Sequence, residues 1–118
     1  MLLQLEEADA VMDRVFSDDR PQAPHLLDLE VAQVVRRYWR AGDITATRGE
    51  QAIRDLADLP LHRHSHEPLL GRIWQLRNNV TAYDAAYIAL AEALDAPLVT
   101  LDGALSRVPG VRISIEVL

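Results

Sequence analysis

Residues 81–102 constrain the fold more tightly than any other part of the chain. Thr81-Ala82-Tyr83-Asp84 has the form of a capping box, with Thr81 as N-cap and Asp84 at the third helical position. The helix it opens is predicted to run to about Asp95, where Ala96-Pro97 breaks it. Leu98-Val99-Thr100-Leu101 then reads as a short buried strand, and Asp102 follows it at once. Beyond a helical turn at residues 103–107 and a turn at Pro109-Gly110, residues 111–118 alternate. Val111, Ile113, Ile115 and Val117 fall on one side and Arg112, Ser114 and Glu116 on the other, the period of a strand.

The upstream half continues the pattern. Residues 5–16 carry Leu5, Ala8, Met12, Val15 and Phe16 at helical spacing, and Ser17-Asp18-Asp19-Arg20-Pro21 ends that helix. Residues 22–25 read as extended. Residues 26–41 read as a helix with Leu26, Leu29, Val34, Tyr38 and Ala41 near one face, and Gly42 stands where a C-terminal glycine cap belongs. A helix over 45–59 closed by Pro60, a short strand over 61–64 and a helical stretch over 67–77 complete the series. Strands alternating with helices predict an α/β fold with parallel strands. Ligands in such sheets bind beyond the C-terminal ends of the strands.

With 118 residues the chain suffices for one domain, 1–118, and is too short for two of ordinary size. The absence of cysteine excludes a disulfide scaffold, a thiolate metal site and a thiol nucleophile. No apolar run approaches the ~18 residues of a membrane span. The start, with Glu6-Glu7 and no basic run, is not a secretory signal, so a cytoplasmic protein with no membrane association is expected. The net charge of -6 resides in residues 1–30, which hold eight acids and two arginines, while residues 31–118 hold ten of each. A global basic footprint for nucleic acid is therefore absent.

Three acids occupy the places where an α/β sheet puts its site. Glu30 lies in the first turns of a helix after an extended segment, Asp84 opens another helix, and Asp102 ends a strand. Several carboxylate oxygens without sulfur or imidazole suit Mg2+ or Mn2+. Each acid also has a plain structural role open to it, Asp84 as a helix cap and Asp102 as a turn former. His62, His64 and His66 alternate, and on a strand all three would point to one side, as a zinc or nickel site requires; a solvated edge gives the same pattern. Arg36-Arg37-Tyr38-Trp39-Arg40 mixes bases with aromatics as an RNA-contacting face does. The plainer expectation packs Tyr38 and Trp39 inward, with the arginines in water and both Trp39 and Trp74 in the core or an interface.

Asn79-Val80-Thr81-Ala82-Tyr83-Asp84-Ala85-Ala86-Tyr87-Ile88-Ala89-Leu90-Ala91-Glu92-Ala93-Leu94, followed by Ala96-Pro97-Leu98-Val99-Thr100-Leu101-Asp102, resembles the C-terminal half of a PIN-domain ribonuclease of the VapC toxin type. Ala23-Pro24-His25-Leu26-Leu27-Asp28-Leu29-Glu30-Val31 resembles the segment that carries that family's second acid. The resemblance implies a PIN-like three-layer sandwich, a short parallel sheet flanked by helices. It implies an endoribonuclease toxin that uses Mg2+ (or Mn2+), is usually dimeric, and is restrained by a cognate antitoxin protein of a type II toxin-antitoxin system. Glu30, Asp84 and Asp102 match the family's acidic positions. Thr100 matches a polar residue of the site, and Thr81 supports it.

The family opens with an apolar strand ending in an aspartate, typically in Asp-Ala-Ser, and Met1-Leu2-Leu3-Gln4-Leu5 does not match it. Asp9 and Asp13 are the nearest acids, and both fall inside the predicted first helix. The expected architecture therefore lacks its first strand, and two functional readings follow. The first is a metal-dependent ribonuclease acting on RNA, weakened in this chain. The second is a catalytically impaired domain that dimerises or binds an antitoxin. A homodimer is expected on either reading, since strand edges left open invite pairing.

Overall fold

The computed structural model describes residues 21–118, so the helix expected over residues 5–16, with Asp9 and Asp13, lies outside the described residues. Strand β1 (Gln22–Pro24) leads into helix α1 (Leu26–Arg40) and then α2 (Ala46–Asp58). Gly42, at φ +80°, ends α1 in the left-handed conformation that a glycine takes without strain. Thr45 starts α2 by accepting the Arg48 N–H on its hydroxyl at 3.1 Å. The two helices form a hairpin whose return strand, β2 (His62–His64), pairs in parallel with β1, Gln22 opposite His62 and Pro24 opposite His64.

The second half repeats the arrangement with a tighter connection. A 3₁₀ turn (Glu67–Leu69) runs into the short α3 (Leu70–Gln75), and α4 (Ala82–Leu94) follows. Thr81 caps α4 by accepting the Asp84 N–H at 3.2 Å, as the capping pattern predicts. Strand β3 (Leu98–Thr100) runs back along α4, a 3₁₀ turn (Gly103–Arg107) follows, and β4 (Ile115–Val117) pairs with β3 in parallel. The strand expected over 111–118 thus shrinks to three residues. Val111 and Ile115 do pack on the core, but Val117, expected on the same side, is 43% exposed.

Helix α4 organises the interior. Its Ala85, Ala86, Ile88, Ala89, Leu90 and Ala91 are all buried, so it is apolar nearly all round, the signature of a helix covered on more than one side. It packs against β1, β3 and α3. Its alanines let these neighbours approach closely, and Leu76, Ile88 and Leu105 fill the space around Ala85. The mixed α/β architecture with parallel pairing agrees with the expected PIN-like fold. One difference stands out: the described residues hold two separate two-stranded ribbons, β1–β2 and β3–β4, instead of one continuous sheet. Among the described residues each strand has one paired neighbour.

Helix α1 keeps part of the expected face: Leu26, Val34 and Tyr38 are half-buried, as are Val31 and Val35. None of its residues is fully buried, and Leu29, expected to face inward, is 72% exposed.

Candidate active site

Asp84 sits in the first turn of α4. Burial raises the Asp84 carboxyl above the ordinary carboxylate range, and the negative charges of Asp102 and Glu30 push it the same way. Acids 18 and 54 residues apart in sequence from Asp84 thus meet there as charges. Asp102 follows β3 in a constrained turn: its N–H donates to the Thr100 hydroxyl at 3.0 Å, and its Oδ1 accepts the Ala104 N–H at 2.9 Å. Thr100 is 4% exposed, so this hydroxyl is held inside the fold. Asp102 therefore fills its plain turn-forming role and adds its charge to the cluster.

Glu30 arrives from α1, and its carboxylate accepts a hydrogen bond from the Tyr87 hydroxyl, one turn beyond Asp84 on α4. Burial of the phenol first, then this bond and the charges of Glu30, Asp84 and Asp28, hold Tyr87 well above the usual tyrosine value. The phenol accordingly stays protonated and acts as donor.

The start of α1 is pinned by β2 and the segment after it. The Arg63 Nε donates to both oxygens of Asp28, at 3.0 and 2.8 Å, and its Nη2 donates to the Leu56 carbonyl at 2.7 Å. One side chain thus ties the first turn of α1 to the last turns of α2. The Leu26 N–H, left over at the helix start, donates to His66 Nε2 at 3.1 Å, so the His66 ring carries its proton on Nδ1. Glu30 is two residues beyond Asp28 and inherits this anchoring.

The PIN domain family matches residues 4–111. The chain belongs to the PIN-domain family. Its relatives are VapC-type ribonucleases. It is 41% identical to Ribonuclease VapC1 of Mycobacterium tuberculosis over 107 residues, 90% of this chain and 80% of that protein. It is 39% identical to VapC ribonuclease Mb0985 of Mycobacterium bovis over 83% of this chain and 77% of that protein. With Ribonuclease VapC12 of Mycobacterium tuberculosis it shares 33% identity over 98% of this chain and 89% of that protein.

Other expected features of this PIN domain come out differently. Among the described residues no three histidine or acidic side chains close into a ready ligand cage. The three-histidine site therefore does not form: His62 and His64 stack at 4.5 Å between ring centroids, but His66 lies past the end of β2 and meets His25 edge-on at 6.0 Å. The three acids likewise gather as charges and not as a closed cage. Trp39 and Trp74 are not core residues, being 51% and 67% exposed, and the Arg77 guanidinium lies 4.5 Å over the Trp74 ring. Arg36, Arg37 and Arg40 are exposed, as expected. They lie six to ten residues past Glu30, which on a helix is about 9–15 Å along the axis. No helix among the described residues is long and apolar enough to cross a membrane.

The histidines carry a stability consequence. Burial, and then the charges of His62 and His25, hold His64 below its ordinary value of 6.5. A histidine depressed in the fold takes up its proton more readily when unfolded. Its contribution to stability is whole above pH 6.5 and is lost as the pH falls from there toward the folded value. Urea midpoints measured between pH 8 and 5 are expected to fall below pH 6.5, and His64→Gln is expected to flatten that slope.

Proposed function

We propose that this PIN domain is the ribonuclease toxin of a type II toxin-antitoxin pair, hydrolysing RNA with Mg2+ or Mn2+ held among Glu30, Asp84 and Asp102. The observation that carries the reading is that Asp84, raised first by its burial at the start of α4, also feels the negative charges of Asp102 and Glu30 there. Such crowding is costly without a counter-charge, and a divalent cation relieves it. The donor chemistry fits: the Thr100 hydroxyl and the three carboxylates offer only oxygen. The open arrangement also suits Mg2+, which keeps several waters and takes one or two carboxylates directly.

When bound, the cation supplies Lewis acidity and a water of lowered pKa beside the scissile phosphodiester. The chain's own work is positional. Thr81 fixes the first turn of α4 and so the place of Asp84. The Thr100 hydroxyl and Ala104 N–H fix Asp102. The exposed Arg36, Arg37 and Arg40 offer phosphate contacts to RNA that lies along α1. The antitoxin and a second copy of the chain are the protein partners of this reading.

The test is cleavage of a structured RNA by the purified chain. Activity is expected with Mn2+ or Mg2+, is lost on adding EDTA, and returns when the cation is restored in excess. Cleavage that persists in EDTA contradicts the metal-dependent reading. Absence of cleavage, with antitoxin capture intact, favours the binding-module reading instead.

A further inference from the structure

Among the groups around Asp84, one side chain has no part in the reading above. Tyr87 lies three residues after Asp84 on α4, so the two share a helix face. Its hydroxyl reaches across to the Glu30 carboxylate on α1. No backbone hydrogen bond or ion pair is described between α1 and α4, so this bond is a direct polar tie between the helix that carries Glu30 and the helix that carries Asp84.

We propose that Tyr87 is a positioning residue for the cation site, holding one oxygen of Glu30 so that the other is presented beside Asp84. The inference rests on the reading of Glu30 and Asp84 as cation ligands. A glutamate has three side-chain torsions, and the phenol's hydrogen bond constrains where one of its carboxylate oxygens lies. That oxygen of Glu30 accepts the hydrogen bond of a phenol carried on the same helix as Asp84. Hydrogen bonds behind a ligand orient it in this way, and their loss typically costs 10- to 100-fold in metal affinity. Arg63 acts earlier in the same chain of support: it sets the helix on which Glu30 rides, and Tyr87 sets the side chain.

Mn2+ binding to the metal-stripped chain, read by the EPR signal of free Mn2+, separates this role from packing. Tyr87→Phe keeps the ring and removes only the donor. It is expected to weaken Mn2+ binding about tenfold, while the melting temperature without metal moves far less than for a core truncation such as Leu76→Ala. Glu30→Gln is expected to weaken binding at least as much. The double variant is expected to bind no more weakly than Glu30→Gln alone, because the phenol acts only through Glu30. Mn2+ affinity in Tyr87→Phe equal to wild type overturns the inference and leaves the cation site standing, and so do losses that add in the double variant. Wild type that binds no more Mn2+ than Asp84→Asn overturns the cation site and the inference together.

Discussion

Asp84→Asn is expected to cost at least about 100-fold in RNA cleavage and, in the same protein, to raise the melting temperature. The first effect follows from the charges of Asp102 and Glu30 that Asp84 feels. On the proposed reading, removing the Asp84 charge loosens the cation, and a misplacement of about 1 Å at a reacting centre costs on the order of 100-fold. The second effect follows from the direction of its pKa. A carboxyl raised in the fold binds its proton more tightly there than when unfolded. Its charged form therefore opposes folding at neutral pH, and the opposition fades as the pH falls through the raised value. Asparagine is neutral at every pH and keeps the backbone N–H that Thr81 caps. Calorimetry at pH 7 without metal, beside a cleavage assay with Mn2+, reads both. Adding Mn2+ is expected to close or reverse the gap, since a ligand at a hundred times its Kd stabilises by about 2.7 kcal/mol and only the wild type binds it. A variant that is inactive and also less stable than wild type contradicts the account.

Glu92→Ala is expected to be strongly destabilising although it lies outside the site. Glu92 accepts from Arg72 Nε at 2.7 Å and Nη2 at 3.0 Å, and from the Arg112 N–H at 2.8 Å. Arg72 also donates to the Gly110 carbonyl at 2.7 Å, so this pair clasps α3, α4 and the turn before β4. The two side chains are 20% and 9% exposed, and removing one partner of so covered a pair leaves the other charge without its counterpart. The cost is about 3 kcal/mol, which in a domain of this size lowers the melting temperature by on the order of 10 °C. The bond from Arg72, then that from Arg112, hold the Glu92 carboxyl below its ordinary value of 4.5. Its contribution is whole above pH 4.5 and disappears as the pH falls through the folded value, so the gap between wild type and variant is expected to narrow in acid.

Much of this structure was legible from local chemistry. Thr81, Gly42 and Pro97 mark helix ends because caps and breakers act within a turn or two, and the observed elements respect them. What eluded the sequence was long-range. Residues 111–118 alternate well, yet only three pair, because pairing needs a partner and β3 is itself three residues long. The three histidines fail to align because β2 ends at His64, and His66 satisfies the start of α1 across 40 residues of chain. Leu29 faces water because α1 is half-buried along Val31, Val34, Val35 and Tyr38, a stripe of which the periodicity singled out Val34 and Tyr38 but not Val31 and Val35. In the site, Glu30, Asp84 and Asp102 could be picked out by their places at element ends. Tyr87 could have been read from its spacing of three from Asp84, and Arg63 from its alternation with His62 and His64, which sends it to the other side of β2. Their partners on α1 could not, since nothing local ties residue 87 to residue 30 or residue 63 to residue 28.

The account turns on one cation among Glu30, Asp84 and Asp102, and an anomalous difference map from crystals grown with Mn2+ tests that most directly. A single peak beside Asp84, flanked by Glu30 and Asp102 and absent in Asp84→Asn crystals, is the predicted result. A peak at the stacked His62 and His64, or none near Asp84 at millimolar Mn2+, would contradict it.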